Sequence, residues 1–164
     1  MHSLIVGMTE SGKTTLAKQI ALKLQKQGAP TMVLDILGSE WEGANYQTSN
    51  IHDFMEYVQQ ARDCYIFIDE SGEVGKLATE FYWLATRSRH FGHSVFFITQ
   101  RSNQMKPLIR SQCRQLFLFC SAKNDCKILY EDFNYTDLLE GNNLPQGTFY
   151  HAQRFGSCKK IKLF

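Results

Sequence analysis

No apolar run in this 164-residue sequence is long enough to cross a bilayer. Stretches such as Val95 to Ile98 and Leu116 to Cys120 fall far short of the roughly 18 residues a span needs. No secretory signal is expected, because Met1-His2-Ser3 carries no basic region and Leu4-Ile5-Val6 is too short for a signal core. The five cysteines (Cys64, Cys113, Cys120, Cys126, Cys158) are odd in number and none stand as C-x-x-C. A disulfide framework and a structural zinc site are therefore disfavoured, and a reduced, intracellular compartment is expected. Proline is scarce, at 3 residues, and there is no Pro/Gly-rich linker, internal repeat or low-complexity stretch. One domain over residues 1–164 is the expectation.

The composition is that of an ordinary globular chain, 43% hydrophobic and 21% charged. A chain of this size buries roughly 70% of its unfolded surface, so disorder, collagen and coiled coil are excluded. The formal net charge of +2 hides a block structure. Residues 1–84 hold 6 Lys/Arg against 11 Asp/Glu, a net of −5; residues 85–114 hold 6 against 0; residues 115–164 hold 6 against 5. A solvated face accounts for such a basic block as readily as a polyanion surface does.

Short apolar runs alternate with helical patterns. Strands are expected at His2–Val6, Thr31–Leu34, Cys64–Ile68, Val95–Thr99 and Leu116–Phe119. Helices are expected at Lys13–Gln27, with Leu16, Ala17, Ile20, Ala21 and Leu24 apolar; at Ile51–Ala61; at Val74–Phe91, carrying Leu77, Phe81, Leu84 and Ala85; at Lys106–Cys113; and at Cys126–Phe133. Residues 38–50 read as loop. Gly147–Gln153 and Cys158–Leu163 read as a terminal β-hairpin turning at Phe155-Gly156-Ser157, with Lys159, Lys160 and Lys162 guarding its edge. Continuous apolar strands separated by helices imply an α/β fold with a mainly parallel central sheet covered on both faces. Chemistry is then expected at the carboxyl ends of the strands.

Gly7-Met8-Thr9-Glu10-Ser11-Gly12-Lys13-Thr14 fits G-x-x-x-x-G-K-[ST] between a predicted strand and a predicted helix. Four residues between the glycines let the loop curl so that backbone N–H groups converge on phosphate oxygens, and the helix start adds positive partial charge. Residues 7–15, ending at Thr15, are the candidate nucleotide cradle. Lys13 would reach the β and γ phosphates, and the Thr14 hydroxyl would ligate Mg²⁺. Glu10 is unusual company for phosphates, so its side chain is expected to point away. The strand Tyr65-Ile66-Phe67-Ile68 ends in Asp69-Glu70. Asp69 is the candidate Mg²⁺ holder, and Glu70 the candidate base that activates water for in-line attack.

Phe96-Phe97-Ile98-Thr99 ends in Gln100, which could touch the γ phosphate or simply terminate the strand. Arg87 and Arg89 are suited to stabilising transition-state charge, or to complementing a helix end. His90 and His93 are expected to pack or to contact phosphate rather than to hold a metal. Trp41 and Trp83 are expected in the core or a subunit interface.

Together, Gly7 to Thr14, Ile66 to Glu70, and Arg89-His90-Phe91 leading through Ser94 into Phe97-Ile98-Thr99-Gln100 resemble the FtsK/HerA superfamily of P-loop motors. Within it they are most similar to the genome-packaging ATPases of double-jelly-roll viruses, including tailless membrane-containing phages, and of poxvirus-type viruses. The resemblance covers about residues 2–120. It implies a three-layer RecA-like P-loop core, a ring of six subunits, and double-stranded DNA translocation driven by hydrolysis of ATP with Mg²⁺. It further implies a viral capsid or packaging-vertex partner, and a host-cytoplasmic or virion-associated location. By position, Lys13 and Thr14 would bind phosphate and Mg²⁺, Asp69 support the metal, Glu70 activate water and Gln100 act as sensor. Arg87 or Arg89, with Arg101 as a third candidate, would reach a neighbour's ATP. Two departures stand out: Asp35-Ile36-Leu37-Gly38-Ser39-Glu40-Trp41 lacks the proline of the superfamily's stretch and has one extra residue, and Glu10 replaces a common glycine.

Lys106, Arg110 and Arg114 are the candidate DNA-facing residues, since neutralising phosphates supplies most non-specific affinity. A small-molecule kinase would need an acceptor pocket, which no motif identifies. A filamentous-phage-type assembly or export ATPase would commonly continue into a membrane segment. A nucleotide-binding adaptor would leave Asp69 and Glu70 unused. Residues 121–164 carry no motif.

Overall fold

The computed structural model of the protein describes residues 1–69 and 78–164. Five parallel strands build the centre of the sheet: β1 (His2–Val6), β2 (Thr31–Asp35), β4 (Tyr65–Asp69), β5 (Ser94–Thr99) and β6 (Cys113–Leu118). A short β3 (Tyr46–Thr48) adds a parallel edge beside β2, and β7 (Thr148–Gln153) and β8 (Cys158–Lys162) close the other side as an antiparallel hairpin. The order across the sheet is β3-β2-β4-β5-β1-β6-β7-β8. Strand β1 therefore lies in the interior, with the acid-ending β4 two strands to one side and the hairpin beyond β6 on the other.

Every residue of β1, β2 and β5 is buried except Ser94, which is half-buried, as expected for strands covered on both faces. Alternation sorts them. Leu4 and Val6 join one core with Phe54, Met55 and Val58 of α2 (Ile51–Gln60), Phe81, Leu84 and Ala85 of α3 (Ala78–Thr86), Ile109 of α4 (Pro107–Gln112), and Leu129 and Phe133 of α5 (Lys123–Phe133). Ile5 joins the opposite core with Leu16, Ala17 and Ala21 of α1 (Lys13–Lys26), Trp41 and a row of phenylalanines. The result is three layers, and among the described residues no helix is long and apolar enough to cross a membrane.

Two expectations need correction. The stretch 38–50 is not all loop, because Tyr46–Thr48 pairs with β2, its Tyr46 ring stacked on Tyr57 of α2. The helix expected through residue 91 ends at Thr86 and gives way to a 3₁₀ turn at Ser88–Phe91. There the Thr86 and Ser88 hydroxyls donate back to the carbonyls of Tyr82 and Leu84, the local competition that weakens helices at such residues. The expected start of that helix, residues 74–77 with Leu77, lies outside the described residues. Thr136–Asn143, for which the sequence pattern offered no element, forms a 3₁₀ segment that packs on α5.

Candidate active site

The loop between β1 and α1 hangs from both neighbouring strands. The Gly7 N–H donates to the Thr99 carbonyl at the end of β5 (3.3 Å), and the Met8 N–H to the Cys120 carbonyl beyond β6 (2.7 Å). A side chain at position 7 does not fit, because its Cβ would stand 2.6 Å from both Phe119 Cβ and Ser11 Oγ. Glu10 adopts a left-handed φ of 63°, which costs an L-residue about 1–2 kcal/mol. Two hydrogen bonds from the turn before β7 hold it there: Gln146 Nε2 donates to the Glu10 carbonyl (2.8 Å) and the Gly147 N–H to the Ser11 carbonyl (3.0 Å). The Glu10 side chain is exposed.

Helix α1 starts at Gly12 without a side-chain cap and without an acid in its first turn. Its first N–H groups and positive end are left for an anion. Lys13 places its ammonium against the Met8 carbonyl (2.8 Å) with only 6% of the residue exposed. A cation held this deep beside the uncapped start of α1 suits a polyphosphate, and the buried Ser11 hydroxyl, which has no hydrogen-bond partner among the described residues, leaves a further polar atom in the cradle. ATP fits this donor set.

The Thr14 hydroxyl donates to Asp69 Oδ2 at 2.9 Å, joining the loop to the carboxyl end of β4. These two oxygens are hard ligands of the kind Mg²⁺ takes beside phosphate oxygens. Glu70 lies outside the described residues. Gln100 follows β5 at the same edge, and the segment after it is pinned from below. The fully buried Asp125 carboxylate of α5 accepts from Arg101 Nε (2.7 Å), the Ser102 N–H (2.8 Å) and the Ser102 hydroxyl (2.7 Å). Arg101 is therefore engaged in an ion pair with Asp125.

Arg87 and Arg89 do not join this group. They are exposed and sit just before β5, at the amino-terminal edge of the sheet. The six residues of β5, at about 3.3 Å each, put roughly 20 Å between that edge and the loop. His93, between them and the sheet, is a buried staple: its Nδ1 accepts from the Cys64 N–H (3.1 Å) and its Nε2 faces the Val58 carbonyl (3.0 Å). Burial holds its pKa below the ordinary histidine value. His90 is exposed. Among the described residues no three His, Cys, Asp or Glu side chains gather as a metal cluster. Desolvation raises the thiols of Cys113 to about 12 and Cys126 to about 11, so neither is a ready nucleophile.

The three expected DNA-facing residues do not share a surface. Arg110 is buried at 8% exposure and donates to Asp132 Oδ2 (2.6 Å), the Met105 carbonyl (2.7 Å) and the Ser102 carbonyl (3.3 Å). It knits α4 to α5 and cannot meet a phosphate backbone. Lys106 is exposed before α4, whereas Arg114 is exposed on β6 at the far end of that helix, its guanidinium over Phe155.

Sequence reasoning missed two contributors. Asp35 ends β2 as a buried hub, accepting from the Leu37 N–H (3.0 Å), the Gly38 N–H (3.2 Å), the Ser39 hydroxyl and Trp41 Nε1 (2.9 Å). The anchored loop, with Glu40 and Trp41, walls a cavity of about 420 Å³ that reaches Thr14 and Thr15. Asp35 and Trp41 thus keep a structural role without the proline. The second contributor is the turn at Gln146-Gly147, which no motif marks.

The family model described as "ATPase family associated with various cellular activities (AAA)" matches residues 3–121. No curated protein sequence matches significantly. Among solved structures, the genome packaging NTPase B204 from Sulfolobus turreted icosahedral virus 2, in complex with AMPPCP, superposes with a TM-score of 0.81 at 16% identity, covering 99% of this chain and 97% of that one. The pCW3 conjugation coupling protein TcpA, with ATPγS, gives 0.79 at 16% identity over 99% of this chain and 60% of that one. VirB4 of Thermoanaerobacter pseudethanolicus gives 0.72 at 10% identity over 99% and 89%. At identities this low the superpositions show a shared fold alone.

Proposed function

Given that the chain belongs to the ATPase family associated with various cellular activities, we propose that it is an ATP-driven translocase that packages double-stranded viral DNA into a preformed capsid. The observation that carries this reading is the two-way coverage with a genome packaging NTPase, 99% of this chain and 97% of that one. The conjugation protein, by contrast, extends well beyond the matched part.

Lys13 and the open start of α1 hold the triphosphate, and the Thr14 and Asp69 oxygens hold Mg²⁺, which when bound neutralises charge on the phosphates. Glu70 takes the proton of the attacking water, and Gln100, steadied through Asp125, reads the terminal phosphate. Because Arg87 and Arg89 lie at the sheet edge opposite the loop, a finger role for either requires a second subunit. Hydrolysis at the interfaces of a six-subunit ring would supply that second subunit. The DNA path then comes from arranging copies around a channel, with Lys106 and Arg114 as its candidate contacts. The location is the host cytoplasm, at the packaging vertex of the virion.

The test is the ATPase rate with and without double-stranded DNA, measured beside the oligomeric mass. Stimulation by DNA, its loss in Lys13→Ala, and poisoning of wild-type rings by Arg87→Ala or Arg89→Ala subunits are expected. A monomer whose turnover ignores DNA would refute the translocase reading.

A further inference from the structure

We propose that Phe164 is the platform on which the nucleobase of the bound nucleotide stacks, an inference that rests on the nucleotide-binding reading of the loop. A cavity of about 460 Å³ opens beside the loop, lined by Glu10, Gly12, Lys13, Thr14, Thr15, Gln146 and Phe164. The strand order fixes which end of a nucleotide enters it. Asp69, bonded to Thr14, stands on β4, to one side of β1. Gln146 just precedes β7 and Phe164 just follows β8, on the other side. A triphosphate that lies along the loop with its terminal phosphate at Thr14 and Asp69 therefore directs its sugar and base toward Phe164.

The ring is held in place. The Leu163 N–H donates to the Gly147 carbonyl (2.7 Å), and Phe164 packs so closely on Gly147 that a Cβ there would stand 2.6 Å from its ring. Gln146 ties the same turn to the Glu10 carbonyl, so the loop and the ring are joined through that turn. Yet Phe164 remains 57% exposed, an aromatic on the wall of an otherwise polar cavity. The opposite cavity offers no such surface, because Trp41 is 4% exposed and its indole N–H is already bonded to Asp35.

The experiment is calorimetric binding of ATP and of inorganic tripolyphosphate, which has no base, to the wild-type chain and to Phe164→Ala and Phe164→Trp. Aromatic stacking at this strength predicts that Phe164→Ala weakens ATP by roughly tenfold or more, leaves tripolyphosphate unchanged, and that Phe164→Trp keeps wild-type ATP affinity. Equal loss for both ligands would make Phe164 a prop for the loop and overturn the platform role. Unchanged ATP affinity in Phe164→Ala would overturn it as well. If the wild-type chain binds neither ligand, the nucleotide reading itself falls, and the platform with it.

Discussion

Replacing Arg110 with alanine separates a structural arginine from a DNA-binding one. The guanidinium is 9% exposed and its partner Asp132 is 25% exposed, and the same group satisfies the carbonyls of Met105 and Ser102. Breaking a buried ion pair by removing one partner costs about 3–5 kcal/mol. Asp132 can turn to water through its exposed quarter, which places the expected loss near the lower end, at about 3 kcal/mol. For a chain of 164 residues, at about 2–4 °C per kcal/mol, the melting temperature falls by roughly 6–12 °C. Thermal and urea unfolding followed by circular dichroism measure this, with the urea midpoint reduced at unchanged slope. DNA affinity is then titrated against salt at a temperature where the variant is folded. Each phosphate contact contributes about 0.9 to the slope of log affinity against log salt, so a buried Arg110 predicts an unchanged slope. A melting temperature within about 1 °C of wild type, together with a slope lower by about 1, would refute the assignment and return Arg110 to the DNA surface.

Burial, the nearby N-terminal amine and Arg89 lower the pKa of His2 from 6.5 to about 4. The unfolded chain therefore takes up a proton that the folded chain refuses, so this contribution is fully present above pH 6.5 and lost as pH falls toward 4, up to about 3 kcal/mol. Urea midpoints between pH 7.5 and 4.5 should fall, and less steeply in His2→Gln; parallel curves would reject the reading. Asp35→Ala leaves the buried Trp41 indole N–H without an acceptor and releases the loop 36–41. A loss of about 1–3 kcal/mol is expected, with a red shift in tryptophan fluorescence; an unshifted spectrum at wild-type stability would show that the hub is dispensable.

Much of the nucleotide site is legible in the chain because its parts are local. Gly7, Gly12, Lys13 and Thr14 stand in the spacing that a strand-loop-helix needs, and Asp69 ends an apolar strand whose burial its composition announces. The alternation of apolar runs with helices was enough for the parallel sheet and the terminal hairpin. The basic block 85–114 illustrates the opposite case. Its charges are close in sequence, yet the helix α4, two 3₁₀ turns and two strands distribute them over both edges of the sheet and one into the core. Charge counting along a chain cannot see which lysine or arginine faces inward.

The candidate phosphate loop, the strand-end acid and the α/β class are legible along the chain, because helix starts and strand burial depend on residues close together in it. Packing across the sheet shows what no local pattern could: Arg110 is internal, Asp35 anchors the loop beside the site, and Gln146 and Phe164 return across more than a hundred residues to the loop that holds Glu10 and Gly12. Those roles follow from strand order and packing, which bring together side chains whose spacing in the sequence carries no period and no motif.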